Sequence, residues 1–197
     1  MRNQITLFII IILLLNSCAT LEKKQKNYQF DSTNEQGLFL ATITLKKNSS
    51  DIDVLDLEFE DYDVHDKNWF LIDLVLKNNR MKADTIINEE KIYYLVAKTS
   101  VTKYKLSGYE IIKELNPRDE IKSKTNQISI PFEIEKGIVN YIGDFNFYLN
   151  KNENGFHFEI QNNLDRDIAK LKKMYPKVEW GEIKNQLLKS ESDIIEF

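Results

Sequence analysis

Few residues in this sequence are of types that carry chemistry. Cys18 is the only cysteine, so the chain forms no internal disulfide and offers no cysteine-rich zinc site. The two histidines, His65 and His157, are far apart in sequence, and neither lies in the His-Glu-x-x-His pattern of a zinc-binding helix. The Gly-x-Ser-x-Gly segment that presents a serine nucleophile is also absent. These patterns predict no catalytic residue and no cofactor.

The balance of charges and the scarcity of glycine exclude further classes of protein. Lys and Arg number 27 against 31 for Asp and Glu, and the resulting net charge of −4 disfavours nucleic acid as a partner. Of the six glycines, Gly108 and Gly143 stand alone, and none forms the glycine-rich loop that cradles phosphate. Aromatic residues make up 11% of the chain, a content typical of a folded core rather than of disorder.

Residues 51–66 hold the one local cluster of acidic side chains. Its members are Asp51, Asp53, Asp56, Glu58, Glu60, Asp61, Asp63 and Asp66. Carboxylate oxygens bind calcium, but this stretch lacks the glycine and the final glutamate of an EF-hand loop. Such a stretch is also typical of a solvated strand face whose like charges discourage pairing at a sheet edge. We therefore predict no specific calcium site at Asp61, Asp63 and Asp66, and no metal site.

The N-terminus has the pattern of an export signal. Arg2 is the only charged residue among the first 17, and an unbroken apolar run covers residues 7–15. Nine apolar residues are too few for a membrane-spanning helix, which needs about 18 or more, but suit the core of a signal peptide. The run ends in Leu15-Asn16-Ser17-Cys18, which resembles the lipobox of bacterial lipoproteins. That resemblance implies a signal peptide over residues 1–17 and a lipid attached to Cys18.

A lipidated Cys18 makes a membrane the first expected partner. Each buried methylene of an acyl chain contributes about 0.8 kcal/mol, so several chains on one residue form a stable anchor. Ala19 follows Cys18. In enterobacterial lipoproteins an Asp at that position resembles an inner-membrane retention signal. Its absence here implies the outer membrane of a Gram-negative envelope, on its periplasmic or surface face.

The mature chain begins as a polar tether and continues as strands. Residues 18–36 are predicted to be the lipidated cysteine and its tether. From residue 37 onward apolar side chains recur with the period of two that is typical of strands. Strands are predicted at residues 39–45, 52–59, 69–76, 92–98, 109–115, 127–134, 138–149 and 155–161. About eight short strands predict an all-β, antiparallel, Ig-like or transthyretin-like β-sandwich over residues 37–162.

Two of these strands carry a further prediction about their place in a sheet. Residues 69–76 are nearly all apolar, which predicts a central strand covered on both sides. Pro131 lies inside its strand and has no N–H to donate, so that strand is predicted to be an edge or to carry a bulge.

Residues 163–197 change to a helical period and predict a short C-terminal helical appendage packed on the sandwich. A first helix is predicted to begin at the N-cap Asn163 and to end before Pro176. Its apolar stripe consists of Ile168, Leu171 and Tyr175. A second short helix is predicted from the spacing of Trp180, Ile183 and Leu187.

Two segments are similar to known families. Residues 104–111 (YKLSGYEI) resemble the Leu-x-x-Gly-x-Tyr-x-Ile segment of carboxypeptidase-regulatory-like and transthyretin-like sandwich domains. Residues 137–144 (GIVNYIGD), with the helix and Tyr175-Pro176 that follow, resemble a group of uncharacterised bacterial lipoproteins. The resemblance spans roughly residues 90–180 and implies a β-sandwich lipoprotein with no catalytic residues.

The first of these segments carries three expectations of its own. Gly108 is expected to permit a tight turn, because glycine tolerates the backbone angles that turns require. Tyr109 is expected to bury its ring in the core. Tyr104 is expected to belong to the preceding strand.

The sequence thus predicts a non-enzymatic, lipid-anchored cell-envelope lipoprotein that binds or scaffolds an envelope protein or a glycan. The alternative is a ligand- or glycan-binding module of an outer-membrane surface complex, using exposed aromatics such as Tyr62 or Trp180. A third hypothesis is an enzyme whose site the sequence does not reveal, for example a glycosidase with a carboxylate pair.

Overall fold

The computed structural model describes residues 28–47, 52–62, 69–76, 80–116, 119–125, 128–150 and 155–187. Within them the chain forms eleven strands and one helix, α1 (Leu164–Met174). The strands are β1 (Gly37–Leu45), β2 (Val54–Asp61), β3 (Trp69–Val75), β4 (Thr85–Ile87), β5 (Glu90–Thr99), β6 (Lys103–Asn116), β7 (Asp119–Thr125), β8 (Ile130–Glu133), β9 (Val139–Asn150), β10 (Gly155–Gln161) and β11 (Ile183–Asn185). The predicted all-β sandwich is confirmed.

Two sheets make up the sandwich. The six-stranded sheet has the order β10-β9-β1-β5-β4, with β11 added on β9, and the five-stranded sheet has the order β3-β2-β6-β7, with β8 added on β6. Most neighbours are antiparallel, but β1 and β11 each pair with β9 in parallel. The first sheet is therefore mixed, not wholly antiparallel as the sequence predicted.

The main core lies between the two sheets and follows from alternation along the strands. In β2, Leu55, Leu57 and Phe59 are all buried, and they belong to one apolar cluster with the inward side chains of β1. The Phe39 and Phe59 rings meet edge to face with centroids 5.4 Å apart, so the two sheets are in direct contact. Burying aromatic side chains of this kind is the main stabilising contribution in such a core.

A second, smaller core lies on the other face of the six-stranded sheet. There the side chains of Leu38 and Leu40 pack in one cluster with Leu171 of α1 and with Phe30 from the segment that precedes β1. Strand β1 is consequently buried along its whole length. The architecture has three layers: the five-stranded sheet, the six-stranded sheet, and α1 together with the flanking segments.

The central position predicted for residues 69–76 is wrong. Strand β3 is an edge of the five-stranded sheet and pairs with β2. Its Leu74 is buried in the core, but Leu71 on the opposite face is 45% exposed. An apolar run fits a strand covered on both faces and equally fits an edge strand that carries apolar residues on its solvent face. The strand buried on both faces is β1, in which Thr42 and Thr44 alternate with apolar residues.

The predicted second helix is replaced by β11. Ile183 lies opposite Val139 in a parallel pairing, and the backbone N–H of Gln186 donates to the carbonyl of Tyr141 at 2.8 Å. The spacing of Trp180, Ile183 and Leu187 suits a helical face, but the edge of β9 supplies backbone partners that a three-residue strand can use. The appendage therefore contains one helix within the described residues.

Part of the predicted tether is packed against the domain. Phe30 is 1% exposed and forms an isolated parallel bridge with Val178. The backbone N–H of Glu179 donates to the carbonyl of Phe30 at 2.8 Å, and the Tyr28 and Tyr175 rings lie 5.7 Å apart. Residues 28–36 therefore belong to the folded part.

Within the described residues no helix has the length and apolar content needed to cross a bilayer.

Strand β6 differs from its predicted form. Tyr104 and Tyr109 lie in this one strand, so Tyr104 does not belong to a preceding strand. The pairing of β2 with β6 shifts register between Glu58, opposite Gly108, and Phe59, opposite Leu106, so the Gly108 segment is a bulge and not a tight turn. The predicted burial of Tyr109 is confirmed, at 1% exposure.

Pro131 lies in β8, which pairs with β6 at the periphery of the sheet, as the missing N–H predicted.

Candidate functional site: a buried polar cluster under the helix

A cluster of polar side chains lies between α1 and the six-stranded sheet, beside the second core. Two residues at the start of the helix, Asn163 and Arg166, close its outer side. Its fully buried members are Thr42, Thr44, Tyr141, Asp144, Asn146 and Asp167. Buried polar groups are costly unless they are hydrogen-bonded, so such a concentration of them calls for a structural or functional reason.

A bulge in β9 brings the sheet residues of this cluster to one face. Leu40 of β1 lies opposite Tyr141, and the next residue, Ala41, lies opposite Gly143, so Ile142 is an extra residue. Without the bulge, Tyr141 and Asp144 would point to opposite faces, because side chains alternate along a strand. With the bulge, both contact α1. Gly143 has φ +135°, a backbone angle that glycine adopts readily and other residues rarely do.

Replacing Gly143 with alanine is expected to destabilise the fold by about 1–3 kcal/mol, because alanine is strained at this backbone angle. A Cβ atom would also lie 2.6 Å from Cγ2 of Ile160. The matched control is Gly181→Ala, because a Cβ at Gly181 meets no atom within 4 Å. Urea unfolding of both variants checks the prediction, and equal midpoints would contradict it.

Asp167 is the cluster member that α1 contributes from its first turn. Its Oδ2 accepts hydrogen bonds from the Thr42 hydroxyl at 2.8 Å and from the Tyr141 hydroxyl at 2.9 Å. Its Oδ1 accepts from Nε of Arg166 at 2.7 Å. Both oxygens of this carboxylate are therefore bonded, and the bonds tie the helix to strands β1 and β9.

Asp144 forms the corresponding centre on β9. Its Oδ1 accepts a hydrogen bond from the Thr44 hydroxyl at 2.8 Å. Its Oδ2 accepts from Nδ2 of Asn163 and from Nη2 of Arg166, each at 2.8 Å. Arg166 thus bridges two buried carboxylates while its own side chain stays 29% exposed.

Burial and charge act in opposite directions on these groups. Burial raises the pKa of Asp167 above its usual value, and the Arg166 guanidinium with the Thr42 hydroxyl offsets part of that rise. Burial also disfavours the charged guanidinium of Arg166, but Asp144 and Asp167 outweigh it and raise its pKa. Burial and the adjacent Asp167 raise the pKa of the Tyr141 phenol, which remains a donor.

The arrangement is suited to clamping the helix onto the sheet. Asp144 and Asp167 share the guanidinium of Arg166. Each carboxylate also accepts two hydrogen bonds from hydroxyl or amide groups. Among the cluster's side chains, Oδ1 of Asn146 is the one buried polar atom without a hydrogen-bond partner. Protein donors thus make three hydrogen bonds to each carboxylate, which has about four acceptor positions.

The residues singled out in the sequence are not brought together in this cluster. Cys18, His65, Asp63 and Asp66 lie outside the described residues. His157 lies in β10, but the structure describes only its backbone.

The other candidate residues occupy separate places. Asp61 is buried, and the Thr102 hydroxyl lies 3.4 Å from its Oδ1. Tyr62 is 47% exposed. Trp180 is half-buried and donates from Nε1 to the carbonyl of Tyr175 at 3.2 Å. Among the described residues, no three His, Cys, Asp or Glu side chains are grouped so that they could hold a metal ion.

A second acidic feature lies on the outer face of the five-stranded sheet. Asp56 of β2 is directly opposite Asp73 on one side and Glu110 on the other. Burial and then the neighbouring carboxylate of Asp73 raise the pKa of Asp56 to about 6, with further contributions from Glu110 and Glu58. Like charges directly opposite each other destabilise a sheet, so this row works against the fold at neutral pH.

Replacing Asp56 with asparagine is expected to stabilise the protein at pH 7–8 by up to about 1 kcal/mol, after allowance for solvent screening. The folded-state pKa of Asp56, about 6, lies above its ordinary value of 3.8. Its contribution to stability is therefore fully present below about pH 3.8 and is lost as the pH rises through about 6. Urea unfolding at pH 8 and pH 4 should show the gain only at the higher pH.

The control for Asp56 is Glu58→Gln on the same strand face. Glu58 lies opposite Leu71 and Gly108, which carry no charge. Its replacement should change stability less between the two pH values. An equal effect of both substitutions would show that general surface charge, and not the carboxylate row, causes the pH dependence.

Sequence reasoning missed the buried cluster because its members look ordinary one at a time. Thr42 and Thr44 alternate with apolar residues, which is typical of a solvated strand face. Asp167 follows a helix N-cap, where an acidic residue is expected for the helix dipole alone. A usable signal was the pair of adjacent opposite charges, Arg166-Asp167, on the face that also carries Leu171.

Comparisons with known proteins leave the family of this chain open. No protein-family model matches the sequence, and no curated protein is significantly similar to it. One solved structure with partial similarity is a leucine-rich repeat protein from Bacteroides thetaiotaomicron, with a TM-score of 0.33 and 7% sequence identity. The match covers 57% of this chain and 13% of that protein, and a likeness this weak assigns neither fold family nor function.

Proposed function

We propose that this chain is a lipid-anchored lipoprotein of a Gram-negative cell envelope, with a non-enzymatic binding or scaffolding role. The observation that carries the proposal is Leu15-Asn16-Ser17-Cys18 directly after a short apolar run, a segment that resembles a lipobox. Acyl chains on Cys18 hold the protein in the membrane. The residue after Cys18, Ala19, favours the outer membrane.

The placement of the folded residues supports an anchored domain. Tyr28, ten positions after Cys18, already packs against Tyr175. A linker of ten residues reaches at most about 35 Å when extended. The sandwich therefore stays close to the membrane that holds the anchor, where it meets other envelope proteins or glycans.

The buried charges support a role without catalysis. Arg166 contacts both Asp144 and Asp167, and hydroxyl groups occupy further acceptor positions of these carboxylates. Groups arranged in this way hold α1 on the sheet and present no acid–base pair to a substrate. A tagged lipoprotein used to capture partners from its native membrane identifies what the domain binds.

The alternative role is a ligand- or glycan-binding module of an outer-membrane surface complex. Tyr62 favours it, because an aromatic ring that is 47% exposed can stack on a sugar. Trp180 favours it less, because its ring is half-buried and its Nε1 is hydrogen-bonded. Glycan binding by the protein that disappears in Tyr62→Ser would support this role.

Replacing Cys18 with serine is expected to abolish lipid attachment completely, because the thiol is the acyl acceptor in a lipobox. Metabolic labelling with a radioactive fatty acid, followed by membrane fractionation, measures the effect. The control is Ser17→Ala, which keeps a small residue before the cysteine and should retain the label. Label that persists in the Cys18→Ser protein would rule out the proposed anchor.

A further inference from the structure

The linker from Cys18 reaches the domain at one end of the sandwich. The Tyr28 ring lies 5.5 Å from Nζ of Lys98, and Lys98 is opposite Leu38 at the start of β1. We call this the linker end. It consists of the start of β1, the end of β2 and the β5–β6 and β8–β9 turns. These parts are joined, because the backbone N–H of Ile134 donates to the carbonyl of Thr102 at 2.9 Å.

Among the described residues, two large apolar side chains are exposed at the linker end. Tyr62 follows β2 and is 47% exposed, and its backbone N–H donates to the carbonyl of Lys103 at 2.8 Å. Val101 lies in the β5–β6 turn and is 46% exposed. Both lie just beyond the last residues of β2 and β5, at this end of the sandwich. Exposed tyrosine and aliphatic side chains on neighbouring turns can enter the interfacial region of a bilayer.

Charges of both signs surround these side chains, because Glu60 and Asp61 precede Tyr62 and exposed Glu133 lies opposite Lys103. Lys103, between the two turns, is exposed. Helix α1 also ends here, since Tyr175 contacts Tyr28, and Lys172 and Lys173 of its last turn are exposed. The linker carries three lysines, Lys23, Lys24 and Lys26, and one glutamate, Glu22. Lysines near a bilayer surface are attracted to anionic phospholipid headgroups.

The length of the linker distinguishes this end from the opposite one. Apolar side chains are exposed there too, with Ile86 at 66% and Ile87 at 41% on β4, which lies level with the end of β1. The nine residues of β1 separate the two ends by about 30 Å. A ten-residue linker spans about 17 Å as a coil and about 35 Å when fully extended. Contact at the β4 end would therefore need an almost fully extended linker.

We propose that the linker end rests on the phospholipid headgroup surface of the membrane that holds Cys18, with Tyr62 and Val101 at headgroup depth. This inference rests on the proposed lipidation of Cys18. It assigns Tyr62 to lipid contact and leaves the β4 end directed away from the membrane, toward partners.

The test uses the full-length lipidated protein in vesicles of phosphatidylglycerol and phosphatidylethanolamine that contain a nitroxide-labelled phospholipid. One variant carries a fluorophore on Val101→Cys and the other carries it on Ile86→Cys, a matched exposed apolar position. We expect quenching several-fold stronger at position 101 than at position 86. Tyr62→Ser added to the Val101→Cys protein should weaken that quenching. Equal quenching at both positions, or stronger quenching at position 86, overturns the inference.

The same experiment separates the two proposals. In the protein without an introduced cysteine, an acylated Cys18 has no thiol, so it takes up no fluorophore. Labelling of that protein would contradict the proposed anchor and the orientation with it. Absence of labelling together with equal quenching at positions 101 and 86 overturns only the orientation.

Discussion

Replacing Arg166 with methionine is expected to destabilise the protein by about 3–5 kcal/mol, because it leaves two buried carboxylates without their shared counter-ion. Asp144 and Asp167 are both 0% exposed, and the guanidinium approaches them at 2.8 and 2.7 Å. Methionine keeps much of the length and apolar stem of the side chain, so the variant removes charge and donors more than packing. Urea unfolding at pH 7 measures the loss.

Two further variants separate charge from geometry at this position. Arg166→Lys keeps the positive charge but loses the planar fork that reaches both carboxylates, and should fall between the wild type and the methionine variant. Lys172→Met removes an exposed lysine from the same helix and should change stability by less than about 0.5 kcal/mol. If Arg166→Met changed stability as little as Lys172→Met, the clamp would not contribute to the fold.

The loss in Arg166→Met should also shrink as the pH falls. Burial already raises the pKa of Asp167, and without Arg166 nothing offsets that rise from the helix side. A group whose folded-state pKa exceeds its unfolded value binds protons on folding, so it favours the folded state increasingly as the pH falls. The difference in stability between wild type and variant should therefore be smaller at pH 5 than at pH 8. A difference that grows on acidification would contradict this assignment of charge.

Replacing Tyr109 with alanine is expected to destabilise the protein by about 3–5 kcal/mol, the usual range for truncation of a large buried aromatic side chain. Tyr109 is 1% exposed, and its ring meets Phe158 edge to face at 5.6 Å. That contact joins β6 of one sheet to β10 of the other. The lost ring therefore opens a cavity between the two layers, and thermal or urea unfolding should record the change.

Two other tyrosines serve as comparisons for this prediction. Tyr104 lies in the same strand, is 2% exposed and stacks on Phe132 at 5.7 Å, so Tyr104→Ala should cost about as much as Tyr109→Ala. The sequence alone placed Tyr104 in an earlier strand. Tyr62→Ala alters an exposed ring and should be close to neutral. A neutral Tyr109→Ala would mean that the register of β6 is not the one described.

The layered architecture relates these two predictions to the proposed role. Tyr109 stabilises the contact between the sheets, and Arg166 stabilises the contact between α1 and the six-stranded sheet. The second contact also holds the segment around Phe30, through which the linker joins the domain. A weakened clamp should therefore loosen the linker end before it affects the main core, which proteolysis at that end could detect.

The sequence by itself determined the fold class and most of the strands. In β2 the alternation of Leu55, Leu57 and Phe59 with acidic residues predicted which face enters the core, because side chains alternate along any strand regardless of its partners. The burial of Tyr109 was expected from the segment that resembles sandwich domains, and the helix with Leu171 on its buried stripe was predicted from helical spacing. These features depend on residues close together in the chain.

The tertiary structure alone decided which strands are central and which polar residues are buried. Strand β1 is covered on both faces because it lies between the five-stranded sheet and α1, while β5 and β9 pair with its two edges. All of these elements except β2 are distant from β1 in sequence. The hydrogen bond from Thr42 to Asp167 joins residues 125 positions apart, so neither residue alone indicates the other. A threonine in a strand fits solvent or a buried carboxylate equally well, and only the packing of the helix over the sheet selects between them.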